Sequence, residues 1–467
     1  ALDPTRKWPH LSWMAPKNRR VLAGAVAWLF ALAIAASLPR YGKSERRVSM
    51  SLRTQGASTR AAAGRVASAT SLLALHRKGT RMTSAQDKFA MRSTMNPSMP
   101  SGPPPVELAP CPYTDWGAKD IDIDQVQKDS TALPEFPLEI SAKSLGLSSA
   151  EEKNYIMENK ASILENLQKH GAVVLRDFDL TKTPAGFRDM WENGLKLSPC
   201  QDPLQSVAAR QTVSKSDGVF EAVNKPSLNR YFVGMHNEMV GTRTPRKAAF
   251  VCFKPAEEGG EFLVLNGQQM LRDLKPEFLK RIYSKDMRYA VAQFPMGFLQ
   301  DKPEFLQNLL KPVIKSVLDL AIGQKVDFYT ESVWDTTTNN GDLVLQVRAA
   351  PNPPVLRHPQ TNEPVWFANI HSHSAKLRDM RAQIYSGGDE GRDKTTGSSK
   401  INLTDVFYGD GTAISEEDLK HVAEVTMKNA KFLKLNQGDV VLVDNYKTQH
   451  GRNVFEGTRK NAVTWFE

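Results

Sequence analysis

GDVVLVDNYKTQHGRNVFEGTRK, from Gly438 to Lys460, places an apolar strand, a polar turn and a closing basic pair in one short segment. Val440–Val443 is a continuous apolar run bounded by the turn pair Gly438-Asp439, the pattern of a strand covered on both faces. The strand ends in Asp444-Asn445, a turn then delivers His450, and Arg459-Lys460 follows nine residues later. Comparable runs occur at Ala172–Leu175, Ala248–Phe253, Phe262–Leu265, Leu343–Val347 and Ala462–Phe466, several of them separated by turn signals such as Gly259-Gly260. Helical spacing is confined to a few stretches. Glu151–His170 carries Tyr155, Ile156, Ile163, Leu164 and Leu167 and stops at Gly171, and Pro276–Gln324 holds most of the remaining helix. Many short strands with helices gathered at one end predict a mainly β fold with flanking helices, a double-stranded β-helix (jelly roll) over about 112–467. Gly387–Lys400, GGDEGRDKTTGSSK, reads as a surface loop.

The chemistry centres on NRYFVGMHNEMV, Asn229–Val240. In an extended segment His236 and Glu238 stand two residues apart, so both side chains leave the same face. An imidazole and a carboxylate on one face make two thirds of a facial triad. His450 from a distant strand completes it and leaves coordination positions open for a co-substrate and oxygen. The chain has nine histidines and this is its one H-x-[DE], so spacing alone also fits a plain strand-surface pair and a structural turn histidine. Context favours the metal. A 2-oxoglutarate enzyme holds the keto acid on Fe(II) and needs a fixed cation for its distal carboxylate, which a guanidinium fork suits. Arg459 fills that role, with Arg452 in the HGR triplet as the competing donor. His371 and His373 form a second pair, in ANIHSHS at 368–374. An H-x-H on a strand is a metal pattern, but no third ligand stands near it, and plain polar or substrate-pocket positions are simpler.

The blocks MHNEM and PRKAAFVCFKPAEEGGEF, then RHPQTNEPVWF at Arg357–Phe367, FYGDG at Phe407–Gly411 and the closing DN…HGRNVFEGTRK occur in one order. Together they resemble the TauD/TfdA dioxygenase superfamily over roughly Ser162–Glu467, nearest in pattern to its SyrP-like branch. The resemblance implies Fe(II) on His236, Glu238 and His450, 2-oxoglutarate anchored by Arg459, and O2 as the second co-substrate. It also implies release of succinate and CO2 while an unactivated C–H of a small amino-acid-like or acyl substrate is hydroxylated. Desaturation and cyclisation share the opening steps. Glu238 sets the chain apart from the halogenases, which lack that ligand. Three positions depart from the pattern. Phe262 replaces a Thr that bonds 2-oxoglutarate in many relatives, Val463 replaces a second arginine that grips an anionic substrate in the taurine-type enzymes, and ANIHSHS replaces a stretch poorer in histidine. A catalytically silent jelly-roll binding protein and a zinc-dependent hydrolase are the rivals. The complete ligand set together with Arg459 speaks against both.

Charge removes another class of partner. The chain carries a formal +10, yet residues 1–92 hold 17 Lys/Arg against only Asp3, Glu45 and Asp87, which leaves 93–467 about −4. The body therefore offers no basis for nucleic acid, and a small-molecule substrate is expected. Lys17, Arg19 and Arg20 precede the apolar run Val21–Ser37, so 14–38 reads as a signal peptide or signal anchor, with 1–13 as upstream-translated sequence. Residues 39–111 are a basic, Ser/Ala-rich, transit-like and then Pro-rich linker. The two parts predict a plastid leader, the alternative being the secretory pathway or a signal-anchored protein, with membrane contact only through that leader. Cys111, Cys200 and Cys252 are far apart and form no C-x-x-C, so buried free thiols are expected rather than a disulfide framework. Trp366-Phe367 reads as core, and Arg348 as a buried ion-pair partner or a substrate contact.

Overall fold

The computed structural model describes residues 104–203, 210–222, 229–239, 241–323, 326, 328–337, 341–386 and 404–467. Eight strands carry the architecture: β1 (Val219–Glu221), β2 (Val233–His236), β3 (Lys247–Lys254), β4 (Phe262–Asn266), β5 (Lys431–Leu433), β6 (Val440–Asp444), β7 (Thr448–Arg452) and β8 (Lys460–Phe466). One sheet runs β1–β8–β3–β6 and the other β5–β4–β7–β2, with antiparallel pairing throughout. This is the jelly roll expected from the sequence. The larger sheet is extended beyond β6 by Ala172–Arg176 and Leu138–Ser141, and beyond β1 by Thr212–Ser214.

Two-sided burial explains why the central strands read as unbroken apolar runs. In β6, Val441 and Val443 join Phe250, Phe262, Val264, Val463 and Trp465 between the sheets. Val440 and Leu442 point the other way, onto Ile163, Leu167, Phe187 and Trp191 of the helical layer outside the larger sheet. The outer face of the smaller sheet, with Met235, Leu263 and Leu265, is covered by Met270, Phe278, Ile282 and Val422 from three helices, Gly267–Asp273, Pro276–Lys285 and Glu416–Asn429. Each fully buried side chain of this kind contributes ~1.5–3 kcal/mol.

The long β4–β5 connection differs from its sequence reading in one respect. Within the stretch read as helix, Met287–Pro295 is a strand, paired with Val344–Ala349 on one edge and Asp405–Tyr408 on the other. Both partners are remote in sequence, and cross-strand packing overrides local propensity there. The Glu151–His170 helix is two helices, Glu152–Glu158 and Lys160–His170, divided at Asn159. Gly171 ends the second with φ +80°, and its carbonyl accepts from Asp444 N–H at 2.8 Å and Thr448 Oγ1 at 2.7 Å. A Cβ there would stand 2.9 Å from that hydroxyl, so glycine lets the helix end rest against the β6–β7 turn.

Cys111 and Cys200 form a disulfide, which corrects the expectation of free thiols; Cys252 alone is free, and buried. Their separation of 89 residues hid the pairing. The segment before the barrel folds back along it: Val106 N–H donates to the Ser216 carbonyl at 2.9 Å, and Ala109 bridges Cys200, which itself pairs with the end of β8. The compact unit spans Pro104–Glu467. The leader and linker assigned to 1–111 lie outside the described residues as far as 103, as does the loop 387–400; among the described residues no helix is long and apolar enough to cross a membrane. A Cys111→Ser/Cys200→Ser double variant is expected to lose ~2–4 kcal/mol in urea unfolding, because the crosslink closes a long loop. Equal midpoints with and without reductant for the parent chain would remove the basis for that expectation.

Candidate active site

His236 is the last residue of β2 and faces His450 directly across the β2–β7 pair; their ring centroids are 4.4 Å apart. His450 thus sits inside a strand, two residues past the turn expected to present it. Glu238 lies just beyond β2, and its Oε1 is 3.5 Å from His450 Nε2. One donor atom from each of the three lies within 4.8 Å of the others, the one such His/Cys/Asp/Glu group among the described residues. His236 Nδ1 donates to the Gly234 carbonyl at 2.8 Å, which leaves the Nε2 lone pair for a ligand. Burial, and then His450, pull the His236 pKa down to about 3. Burial pushes Glu238 up, but Arg210 and then His450 hold it below the usual carboxylate range. Two imidazoles and one carboxylate, converging with His450 and Glu238 buried, are the donor chemistry of a facial divalent-metal site.

Primary amides hold this segment where no strand pairing remains. Asn445 Oδ1 accepts from Glu238 N–H, and its Nδ2 donates to the carbonyls of Glu238 and Pro245, each at 2.8 Å. Asn369 does the same for Asn237, accepting from its N–H at 2.8 Å and donating to its carbonyl at 3.0 Å. Gln449 ties the Asn237 side chain to the Ala368 carbonyl, at 3.1 and 2.9 Å. Asp444 takes His358 Nε2 at 2.9 Å and accepts from the N–H groups of Tyr446 and Lys447, which forms the turn before β7. The DN pair and the RHPQ block thereby acquire physical roles. Both set the backbone that carries the donor side chains.

Two guanidiniums are sunk beside the triad strands. Arg452 lies two residues beyond His450 on β7, and Arg459 just precedes β8; both are under 5 % exposed. Arg459 donates to the Ala222 carbonyl at 3.0 Å and Arg452 to the Tyr231 carbonyl at 2.6 Å. Burial lowers Arg459 to about 10, and burial with Arg459 beside it lowers Arg452 to about 9, so both remain cations at neutral pH. Buried cations in proximity form a receptor for an anion. The GGEF turn touches both ends of this region. A Cβ on Gly260 would stand 3.4 Å from Arg459 Cδ, and Phe262 lies parallel to His450 at 5.9 Å with Phe250 beside both. Phe262 therefore walls the histidine with an aromatic ring.

The second histidine pair is on a short helix, Ile370–His373, not on a strand. His371 Nδ1 accepts from Met235 N–H at 3.0 Å, closing the free edge of β2, and burial keeps the ring neutral. His373 meets Ser372 Oγ at 2.7 Å and the Tyr289 ring edge-on. Arg348 lies in the β4–β5 insertion, donating to Gln346 Oε1 and stacked on Phe407, away from the triad strands. Trp366 and Phe367 are core, as expected. One residue near the triad escaped the sequence reading altogether. Arg210 Nη2 lies 2.7 Å from Glu238 Oε1, and no motif flags an arginine so far upstream of the carboxylate it meets.

The sequence pattern of the family described as taurine catabolism dioxygenase TauD, TfdA family matches residues 129–465. The chain belongs to that family. It is an oxidoreductase, a dioxygenase that works with Fe(II), 2-oxoglutarate and O2. Among characterised sequences it is similar to the dapdiamide synthesis protein DdaC of Enterobacter agglomerans, 22% identical over 303 residues, covering 64% of this chain and 83% of that protein. A clavaminate synthase-like protein of Arabidopsis thaliana is 23% identical over 303 residues, 63% of this chain and 81% of that one. Among solved structures, an asparagine oxygenase in complex with Fe(II), 3-hydroxyasparagine and succinate aligns at 13% identity and a TM-score of 0.38, over 74% of this chain and 88% of that chain.

Asn445→Ala leaves the main-chain N–H and carbonyl of Glu238 and the Pro245 carbonyl without their partner in a dry site. We expect it to cost ~2–4 kcal/mol in thermal or urea unfolding. A change within ~0.5 kcal/mol, the range of ordinary surface substitutions, would show that the amide is not what holds the segment.

Proposed function

We propose that His236, Glu238 and His450 are the iron ligands, that Arg459 receives the distal carboxylate of 2-oxoglutarate, and that the enzyme hydroxylates an unactivated C–H of a small amino-acid-like or acyl substrate. The carrying observation is the convergence of the three donor atoms within 4.8 Å of one another, with two sunken guanidiniums on β7 and just before β8. When bound, the metal and keto acid supply the oxidising power, with succinate and CO2 as by-products. The chain's own groups supply place and protection. His236 offers Nε2 because Gly234 holds its other nitrogen. Glu238 contributes a charge whose backbone is fixed by Asn445. Arg459 contributes a fork that stays charged despite burial, and Arg452 strengthens the positive field beside it. Phe250 and Phe262 keep water from the His450 face, which favours a coupled reaction on a positioned C–H bond over side reactions. A plastid address for the protein is also proposed, from the composition of the leader.

The test needs no knowledge of the substrate. The full chain with Fe(II), ascorbate, O2 and 2-oxoglutarate is expected to release succinate slowly, and Glu238→Ala or His450→Ala to abolish it. Arg459→Ala should raise the half-saturating 2-oxoglutarate concentration by ~10–100-fold, the worth of a charge-assisted fork. If calorimetry shows neither metal nor metal-dependent 2-oxoglutarate binding, the ligand assignment is wrong and the silent jelly roll replaces it.

A further inference from the structure

Arg210 is the charged group at the site that neither the ligand set nor the co-substrate anchor uses. It stands at the start of the Thr212–Ser214 region and is fastened by Asp202. One Asp202 oxygen accepts from the Arg210 main-chain N–H at 2.8 Å, and the other is 3.9 Å from Nε. The guanidinium lies over the Trp465 ring at 4.9 Å and reaches Glu238 Oε1 at 2.7 Å, with its side chain 13% exposed. Trp465 is the inward-facing residue that follows Val463 on β8. Val463 is the position at which the sequence lacks a second arginine. A guanidinium therefore reaches the same end of the inter-sheet space, delivered by a different segment.

We propose that Arg210 is a specificity-determining residue that receives a carboxylate of the substrate, which makes free carboxylic acids, amino acids among them, the substrate class. The proposal rests on the ligand assignment above. Once Glu238 serves a divalent metal, its charge is engaged by a stronger cation, and the Arg210 fork has donors to spare for another anion. The indole beneath the guanidinium restricts its movement, and the planar fork of N–H donors suits bidentate carboxylate pairing. Because Nη2 already stands within hydrogen-bond distance of a ligand oxygen, a carboxylate gripped there is held close to the metal, where a C–H bond must be placed. Arg210 is thus expected to act on substrate binding and orientation, with its hold on Glu238 giving way when metal arrives.

The experiment uses the full chain loaded with Mn(II), an oxygen-inert stand-in, and 2-oxoglutarate. Calorimetric titrations compare the protein amino acids and short straight-chain carboxylic acids with their primary amides. At least one acid is expected to bind about thirtyfold or more tightly than its amide. Arg210→Gln should bring that ratio to within about threefold, and Arg210→Lys should recover part of it, since a point charge replaces a fork. The proposal is overturned if no acid outbinds its amide on the loaded parent chain. It is equally overturned if Arg210→Gln weakens Mn(II) binding alone and leaves the ratio intact, which would make the residue a support for Glu238. Failure of the parent chain to bind 2-oxoglutarate on Mn(II) is a separate result, and it removes the ligand assignment together with this proposal.

Discussion

His236 and His450 meet because β2 pairs with β7 in one register, and everything at the site hangs on that register. Strand side chains alternate with a period of two, so a slip by one residue would turn one imidazole out of the pocket. Three features pin the pairing. The inward residues of β4 and β7 pack against the larger sheet, which fixes β7. The short helix carrying His371 closes the outer edge of β2 through Met235 N–H. Gly234 lets that helix approach, since a Cβ there would come within 2.7 Å of the Ser372 backbone. A closely packed edge leaves β2 no alternative partner.

Beyond β2 the ligand segment leaves the sheet, and its main chain must find partners in a space closed to water. The cost of failing to do so is comparable to a good fraction of a small domain's net stability. Side-chain amides meet that demand, Asn445 for Glu238 and Asn369 for Asn237, each making a two-way contact that copies strand pairing. The consequence for function is a carboxylate whose backbone cannot drift while its side chain changes partners. Preorganisation of this kind is what a metal site needs, because ligands that must be gathered on binding lose affinity.

Phe262 and Val463, two positions where the sequence resemblance led to an expectation of polar groups, both lie in the core between the sheets. The positive charge there comes instead from Arg452, Arg459 and Arg210, borne on three different segments. Arg210 and Arg459 lie outside the barrel strands and can be retuned with little disturbance to them, whereas a residue inside β8 is constrained by neighbours on both sides.

Much of this protein is legible in its sequence because the information is local or periodic. Six apolar runs named six strands, and Gly171 marked a helix end. The order of HNE, DN and HGR pointed to the three donor groups that the fold brings together. What stayed hidden depends on contacts between distant segments. Met287–Pro295 becomes a strand only because two remote strands flank it. Cys111 and Cys200 pair because the segment before the barrel folds back along it. Asn369 and Asn445 acquire their roles, and Arg210 meets Glu238, only once the sheets have closed. By itself the sequence determined the alternation and the donor types, since those follow from spacing along one chain. The tertiary structure alone decided which charge faces which ligand, because Coulomb and hydrogen-bond energies depend on distance in space, and distance along the chain does not predict it.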